Sequence, residues 1–352
     1  MLDLSLAHWL DTHALALDAG LCDPQEVLSQ LAKSEVLRIG ISPFLGGSGR
    51  NLADAVEALA DVASHSMTAA FVLWGQRTFI EYVIQSSNFS LRERLLPFLL
   101  DGKLAGATGL SNAIKYLSGI EALQVHGKPT TGGWHLNGGL QWVTNLRKSG
   151  FVVAAAVENE HSGTPFILAI PDSATGLCRS EDLQLLGLQS SNTAALDFFN
   201  VKVGTDWQLH EDAHIFLPLV RPAFLGLQCG MAIGLARRAL QEAEAHSQHQ
   251  RSILLEPLLN QRWQLEGRVG ELKRGLLDGH FRANPAALFC LRIALAESAS
   301  NAVQLELQAS GGKAYLNEHG SGFARRWRES AFLPIITPTL VQLRAELQRQ
   351  RG

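Results

Sequence analysis

Cysteine is scarce: Cys22, Cys178, Cys229 and Cys290 are the only four in 352 residues, and none stands close enough to another for a zinc knuckle or a disulfide framework. A reducing, cytoplasmic setting is expected. An excess of one charge is missing too. Thirty Lys and Arg against 33 Asp and Glu give a formal net charge of -3, without the basic stripe that nucleic acid or an anionic lipid surface requires. Neither nucleic acid nor membrane is an expected partner. The N-terminus carries Asp3 and Asp11 where a signal peptide would be positive, and reads as an ordinary first helix. Later apolar runs are broken by charge or glycine before the roughly 18 residues that a bilayer span requires, so no transmembrane segment is expected. What is abundant is hydrophobic residues, 46% of the chain, ample for two or three domains with a real core.

The periodicity of those residues runs helical, then β, then helical. Pro24 to Arg38 opens on an Asp23-Pro24 start signal, and Leu52 to Gln85 is one long Ala/Leu-rich run, so three or four helices are expected early in the chain. Between them the glycine-rich Ile41 to Arg50 lacks the preceding strand and the Lys-Ser/Thr of a phosphate loop, and is read as a turn. β-type runs follow at Leu104–Leu110, Ile120–His126, Trp134–Thr144, Phe151–Val157, Pro165–Ile170, Leu183–Leu188 and Ala194–Val203, which argue a small antiparallel barrel or sandwich. Long helices are then placed at Ile215–His246, Ile253–Asp278 and Pro285–Ser310, with a shorter one at Thr337–Arg349. The expected α+β architecture is a helical domain 1–103, a β-barrel domain 104–210 and a helical bundle 211–352.

Gly133–Asn145, GWHLNGGLQWVTN, carries the candidate functional face. It is read as a hairpin arm turning at Asn137-Gly138-Gly139, residues that tolerate positive φ. Strand alternation then puts Trp142 and Thr144 on one face and Gln141, Val143 and Asn145 on the other. An aromatic plane beside a hydroxyl suits a flat, neutral, hydrogen-bonding ring. Other motifs carry less. His210-x-x-x-His214 and His246-x-x-His249 have helical ligand spacing but no Glu of a His-Glu-x-x-His site, and no metal is expected. Arg325-Arg326-Trp327-Arg328 reads as a solvated or subunit-bridging face. Gly109-x-Ser111 lacks the closing glycine of a nucleophile elbow, which argues against a serine hydrolase.

Several strings, in order along nearly the whole chain, resemble the acyl-CoA dehydrogenase superfamily of flavoproteins. They are Phe44-Leu-Gly-Gly-Ser-Gly49, Leu96-Pro-Phe-Leu-Leu-Asp-Gly-Lys103, Trp142-Val-Thr-Asn145, Leu186-Gly-Leu-Gln-Ser-Ser-Asn-Thr193 with Phe198-Phe-Asn-Val-Lys-Val203, and Gln308-Ala-Ser-Gly-Gly-Lys-Ala-Tyr315. The resemblance implies that superfamily's fold and an FAD cofactor. It places Ser111, Trp142 and Thr144 around the flavin ring, with the ring covered by Trp142 and its N5 receiving the Thr144 hydroxyl. It places Arg251, Gln308, Gly311 and Gly312 near the pyrophosphate or the adenosine of a neighbouring subunit, so a homodimer or homotetramer is expected.

The departures from the family matter for chemistry. The family's first flavin loop, Thr-Glu-Pro-x-Ala-Gly-Ser-Asp, here reads Ser111-Asn-Ala-Ile-Lys-Tyr-Leu-Ser-Gly119; Leu254 and Leu255 stand where the family has Phe-Gly after its arginine. Removing an α-proton from an acyl thioester needs a carboxylate, because the C–H is too weak an acid to ionise unaided. The family's base positions fall here on Ile335-Ile336-Thr337 and on Val220, so the catalytic residue is unknown. The resemblance therefore implies a flavin-dependent oxidoreductase, with acyl-CoA or an acyl carrier protein thioester as the reference substrate. The alternatives are a flavin monooxygenase of the same fold and a non-catalytic scaffold subunit.

Overall fold

The computed structural model describes residues 2–350 apart from 118, 120 and 248–252. Five helices come first: α1 (Leu4–Ala19), α2 (Pro24–Lys33), α3 (Leu52–His65), α4 (Met67–Gln85) and α5 (Phe89–Leu100). The run expected to be continuous from Leu52 to Gln85 is two helices, because Ser66 is extended (φ -149) and its side chain accepts from the Ala69 N–H. A serine in that conformation stops one helix and caps the next. α4 is buried along almost its entire length and forms the pillar of the molecule. The Ile41–Gly49 stretch closes on itself through a bridge between those two residues, as a turn should.

Eight strands follow: β1 (Ala105–Thr108), then, after helix α6 (Ser111–Leu117), β2 (Val125–Thr130), β3 (Gly133–Val143), β4 (Phe151–Asn159), β5 (Phe166–Pro171), β6 (Leu177–Arg179), β7 (Ala194–Gly204) and β8 (Gln208–His210). They pair in the order β6-β7-β3-β2-β4-β5-β8, with β1 on β4. The sheet is mixed, not wholly antiparallel: β1 and β2 both run parallel to β4. The expected turn at Asn137-Gly138-Gly139 is also corrected. β3 runs through it, and the β2–β3 hairpin turns at Thr131-Gly132. Gly138 is instead a bulge against β7, with φ 124 and no room for a side chain, since a Cβ would lie 1.9 Å from the Gln124 carbonyl oxygen. Leu183–Leu188 is not a strand. Its Leu185 N–H is taken by the Gln189 side chain and its Leu188 N–H by Asp18, which fold it into an irregular loop.

The last third is α7 (Ala213–His246), α8 (Leu255–Leu277), α9 (His280–Ala283), α10 (Pro285–Ser310), α11 (Ser321–Phe332) and α12 (Leu340–Arg349). By length and composition alone, α7 and Pro285–Tyr315 could each cross a membrane, but 83% and 56% of their apolar windows are buried inside the molecule. Both serve as core helices here. α11 went unforeseen, and with it the inward turn of the arginine cluster: Arg325 pairs with Glu329 and Arg326 with Glu306, all four buried, while Arg328 reaches Asp18. The reading of that cluster as a solvated face is therefore corrected.

Candidate functional site

A cavity of about 850 Å³ opens between α4, α6, the end of β3, the loop 184–188 and the end of α11 with the segment after it. That is the size of a cofactor or ligand site. Ser111, Trp142 and Thr144 line it together. The means differ from simple alternation: Trp142 has a left-handed backbone (φ 59), and the pairing of β3 with β7 slips between Leu140 and Val143. This slip releases the indole, which is 67% exposed and stacks on no other ring among the described residues. Thr144 lies just beyond the strand, buried, with its hydroxyl donating to the Ser191 carbonyl at 3.1 Å.

What fixes this corner is a buried polar lock. Asn145, also left-handed (φ 60) and fully buried, donates to Gln76 Oε1 and to the Gly106 carbonyl, each at 2.9 Å. Gln76 in turn donates to the carbonyls of Leu99 and Leu104, and its Oε1 accepts the Gly106 N–H at 2.7 Å. One side-chain pair thus ties α4, β1 and the end of β3 together. A second tie secures the opposite wall: Asp18 of α1, buried, accepts from the Leu188 N–H at 2.8 Å and from Arg328 at 2.6 Å, joining the 184–188 loop to α11. Neither tie was found by sequence reasoning, since each joins residues far apart in the chain.

The charges around the cavity are Lys115, paired with Glu121, and Arg328, paired with Asp18; among the described lining residues there is no carboxylate. Ile335, Ile336 and Thr337 stand in the wall, while Val220 lines a smaller hollow alongside. The wall segment is held from behind by a buried cation without a carboxylate: Arg292 donates to the Leu333 carbonyl at 2.8 Å and to Gln228, and Gln228 donates to the Thr337 carbonyl at 2.8 Å. The nearby acids are engaged elsewhere. Glu329 is buried against Arg325 and the Met67 N–H, with burial pushing its carboxyl above the ordinary range. Glu346 pairs with Arg349 at the small hollow, and Asp212 caps α7. Gln308, Gly311 and Gly312 lie at the C-terminal end of α10, away from the cavity lining, with Gln308 and Gly312 exposed. Arg251 falls outside the described residues, as does His249; His210 accepts the Asp212 N–H.

No family model matches the chain. Among curated proteins, the mitochondrial long-chain specific acyl-CoA dehydrogenase of Mus musculus is 22% identical over 201 residues, 56% of this chain and 46% of that protein. The short-chain specific acyl-CoA dehydrogenase of Megasphaera elsdenii is 27% identical over 255 residues, 69% of this chain and 65% of that protein. The chain spans about half the length of the first of these relatives. Among solved structures, butyryl-CoA dehydrogenase from Megasphaera elsdenii superposes with a TM-score of 0.85 at 19% identity, covering 99% of this chain and 96% of that one. KijD3, solved with FMN and dTDP-3-amino-2,3,6-trideoxy-4-keto-3-methyl-D-glucose, superposes at 0.78 with 19% identity, covering 99% and 91%. The chain is similar to acyl-CoA dehydrogenases in sequence and shares their fold.

Its fold is the acyl-CoA dehydrogenase fold: helical N-terminal region, β-rich middle, helical C-terminal bundle. Against that superfamily's flavin, the cavity residues can be tested directly. A free indole face without a stacking partner suits a planar ring, and the cavity has room for one. Thr144 fits with one adjustment, because its proton now points to Ser191 and must rotate to reach a ring nitrogen.

Proposed function

We propose that the chain is an FAD-dependent oxidoreductase whose ring-binding face is Ser111, Trp142 and Thr144. Arg251, Gln308, Gly311 and Gly312 then serve the pyrophosphate or adenosine end, completed across a contact between copies in a homodimer or homotetramer. The setting is cytoplasmic. The observation that carries this reading is that one cavity joins the Trp142–Thr144 corner to the Ile335–Thr337 wall. A bound flavin supplies hydride acceptance or, once reduced, activation of O2. The chain's own contribution is positional: the Gln76–Asn145 lock fixes the strand end that bears the indole, Asp18 holds the opposite loop, and the apolar Ile335 and Ile336 line the facing wall.

The same cavity is poorly equipped to take a proton from a saturated acyl thioester, since no described carboxylate lines it. General-base catalysis typically contributes on the order of 10²–10⁴ in rate, so ordinary acyl-CoAs should reduce the bound flavin only slowly. That favours, as a second reading, an oxygenating enzyme of the same fold, which requires no α-proton abstraction. The test is titration with FAD, followed by anaerobic mixing with C4 to C16 acyl-CoAs. We expect a yellow protein and little bleaching; oxygen uptake with an external flavin reductase would then support oxygenation. Rapid, complete bleaching would establish a dehydrogenase with a base not yet located. A protein that gains no flavin absorbance would leave only the scaffold reading.

A further inference from the structure

Next to the large cavity, and sharing Lys115 and Gln342 with it, lies a hollow of about 80 Å³. Space on that scale holds several heavy atoms but not a long alkyl tail. Most of its wall is apolar, with Leu110, Leu217, Val220, Phe224 and Phe289. Into this wall α7 inserts Arg221.

A cation that loses water without gaining an acceptor is costly, and so a half-buried guanidinium is ordinarily matched by a carboxylate. Arg77, Arg325 and Arg326 elsewhere in the fold are matched in this way, and the buried Arg292 has Gln228 and the Leu333 carbonyl as acceptors instead. Arg221 has neither. Among the described residues it has no hydrogen-bond or ion-pair partner; its Nε is buried without an acceptor, and its contact is the Phe289 ring, 5.7 Å from the guanidinium carbon. Burial draws its pKa below the usual arginine range, yet a guanidinium remains charged at neutral pH. The other ionic groups at the hollow are already matched, Lys115 with Glu121 at 3.2 Å and Glu346 with Arg349. The Tyr82 hydroxyl is shared with Thr108 at 2.9 Å. One positive charge is therefore left over, in a hollow that shares Lys115 and Gln342 with the acid-free larger cavity.

We infer that the hollow is a subsite for an anionic substrate terminus: the ligand is an acyl thioester whose acyl chain bears a carboxylate, bound by Arg221, with its methylenes against Leu217 and Phe224. This rests on reading the larger cavity as the flavin and thioester site. Arg221 offers two parallel N–H donors to a carboxylate, which a lysine could not reproduce. A terminal methyl in the same place would leave the guanidinium unsolvated and unpaired.

The experiment compares ω-carboxyacyl and plain acyl pantetheine thioesters of equal length, C4 to C8, which serve whether the natural carrier is CoA or a carrier protein. Binding is measured by calorimetry on the FAD-saturated protein and separately on the protein without added FAD. We expect the carboxylated member of each pair to bind at least tenfold tighter at one chain length. Arg221→Met should abolish that preference and Arg221→Lys retain part of it, with FAD stoichiometry unchanged in both. Equal affinity within every pair, no binding of any thioester, or a preference that survives Arg221→Met would overturn the inference. If Arg221→Met does not fold, the wild-type pairs and Arg221→Lys still decide. The two readings separate cleanly: FAD bound with no carboxylate preference removes only the subsite, whereas a carboxylate preference without FAD binding removes only the flavin.

Discussion

Asn145 shows how one residue sets the geometry of the candidate site. Its side chain makes two buried hydrogen bonds, to Gln76 and Gly106, and its backbone is left-handed, a conformation that Asn and Gly tolerate better than other residues. Asn145→Ala should destabilise by about 2–4 kcal/mol, from two lost hydrogen bonds and the left-handed backbone together. Asn145→Gly, which relieves the backbone but not the hydrogen bonds, should recover about 1 kcal/mol of that. Urea midpoints of the two variants measure the difference; identical midpoints would show that the backbone conformation carries no cost. Both variants should also weaken FAD, because the strand end bearing Trp142 and Thr144 is no longer tied to α4. Sequence alone reached Trp142 and Thr144 through a local string of residues. The same alternation put Asn145 on the opposite face without a role, since Gln76 and Gly106 lie 69 and 39 residues away and nothing local announces them.

Between elements, the clearest device is the charge cluster that joins α3, α7 and α8. Arg237 of α7 donates to Glu57 of α3 and to Glu266 of α8, and Lys273 of α8 reaches Glu57 at 2.8 Å. Burial raises the Glu57 carboxyl, but the hydrogen bonds from Arg237 and Lys273 outweigh it and hold the pKa below the ordinary range. A carboxylate held low in the folded state stabilises above its unfolded pKa, and that contribution is lost as pH falls through the folded value. Glu57→Gln should therefore cost about 1–2 kcal/mol at pH 7, a figure moderated by the pair's partial exposure. The gap between variant and wild type in urea midpoint should close as pH falls below the ordinary carboxylate range; a constant gap would place the effect in packing. The long helices α7 and α10 were legible because their apolar residues recur over many turns. α11 was not, because its buried face is built of paired Arg and Glu, which composition assigns to solvent. The β3 turn was misplaced for a related reason: Asn-Gly-Gly fits a bulge as well as a hairpin, and only the pairing with β7 distinguishes them.

For the whole molecule, the helical–β–helical order was readable, because periodicity survives sequence divergence. The contiguity of the Trp142 corner with the Ile335 wall was not, as it depends on how the bundle packs against the sheet. The surface carries one further indication at this scale. On α8, Leu255, Leu259 and Trp263 are 46%, 64% and 76% exposed, and their spacing of four places them on one stripe of the helix. An exposed apolar stripe of that kind marks an interaction surface more often than a solvent face. Gly312, exposed at the end of α10, adds a place where another backbone could approach closely. We propose self-association through the C-terminal helices, which would cover both and would serve the proposed completion of the cofactor site by the Gln308–Gly312 end of another copy. Light scattering at micromolar concentration should give a dimer or tetramer, and the double variant Leu259→Glu with Trp263→Glu should give a folded monomer. If the adenosine end of FAD is completed across that contact, the same variant should bind FAD at least tenfold more weakly while keeping its helical circular dichroism. A wild-type protein that is monomeric with FAD bound would refute the contact, and a monomeric variant with undiminished FAD affinity would confine the whole cofactor site to one chain.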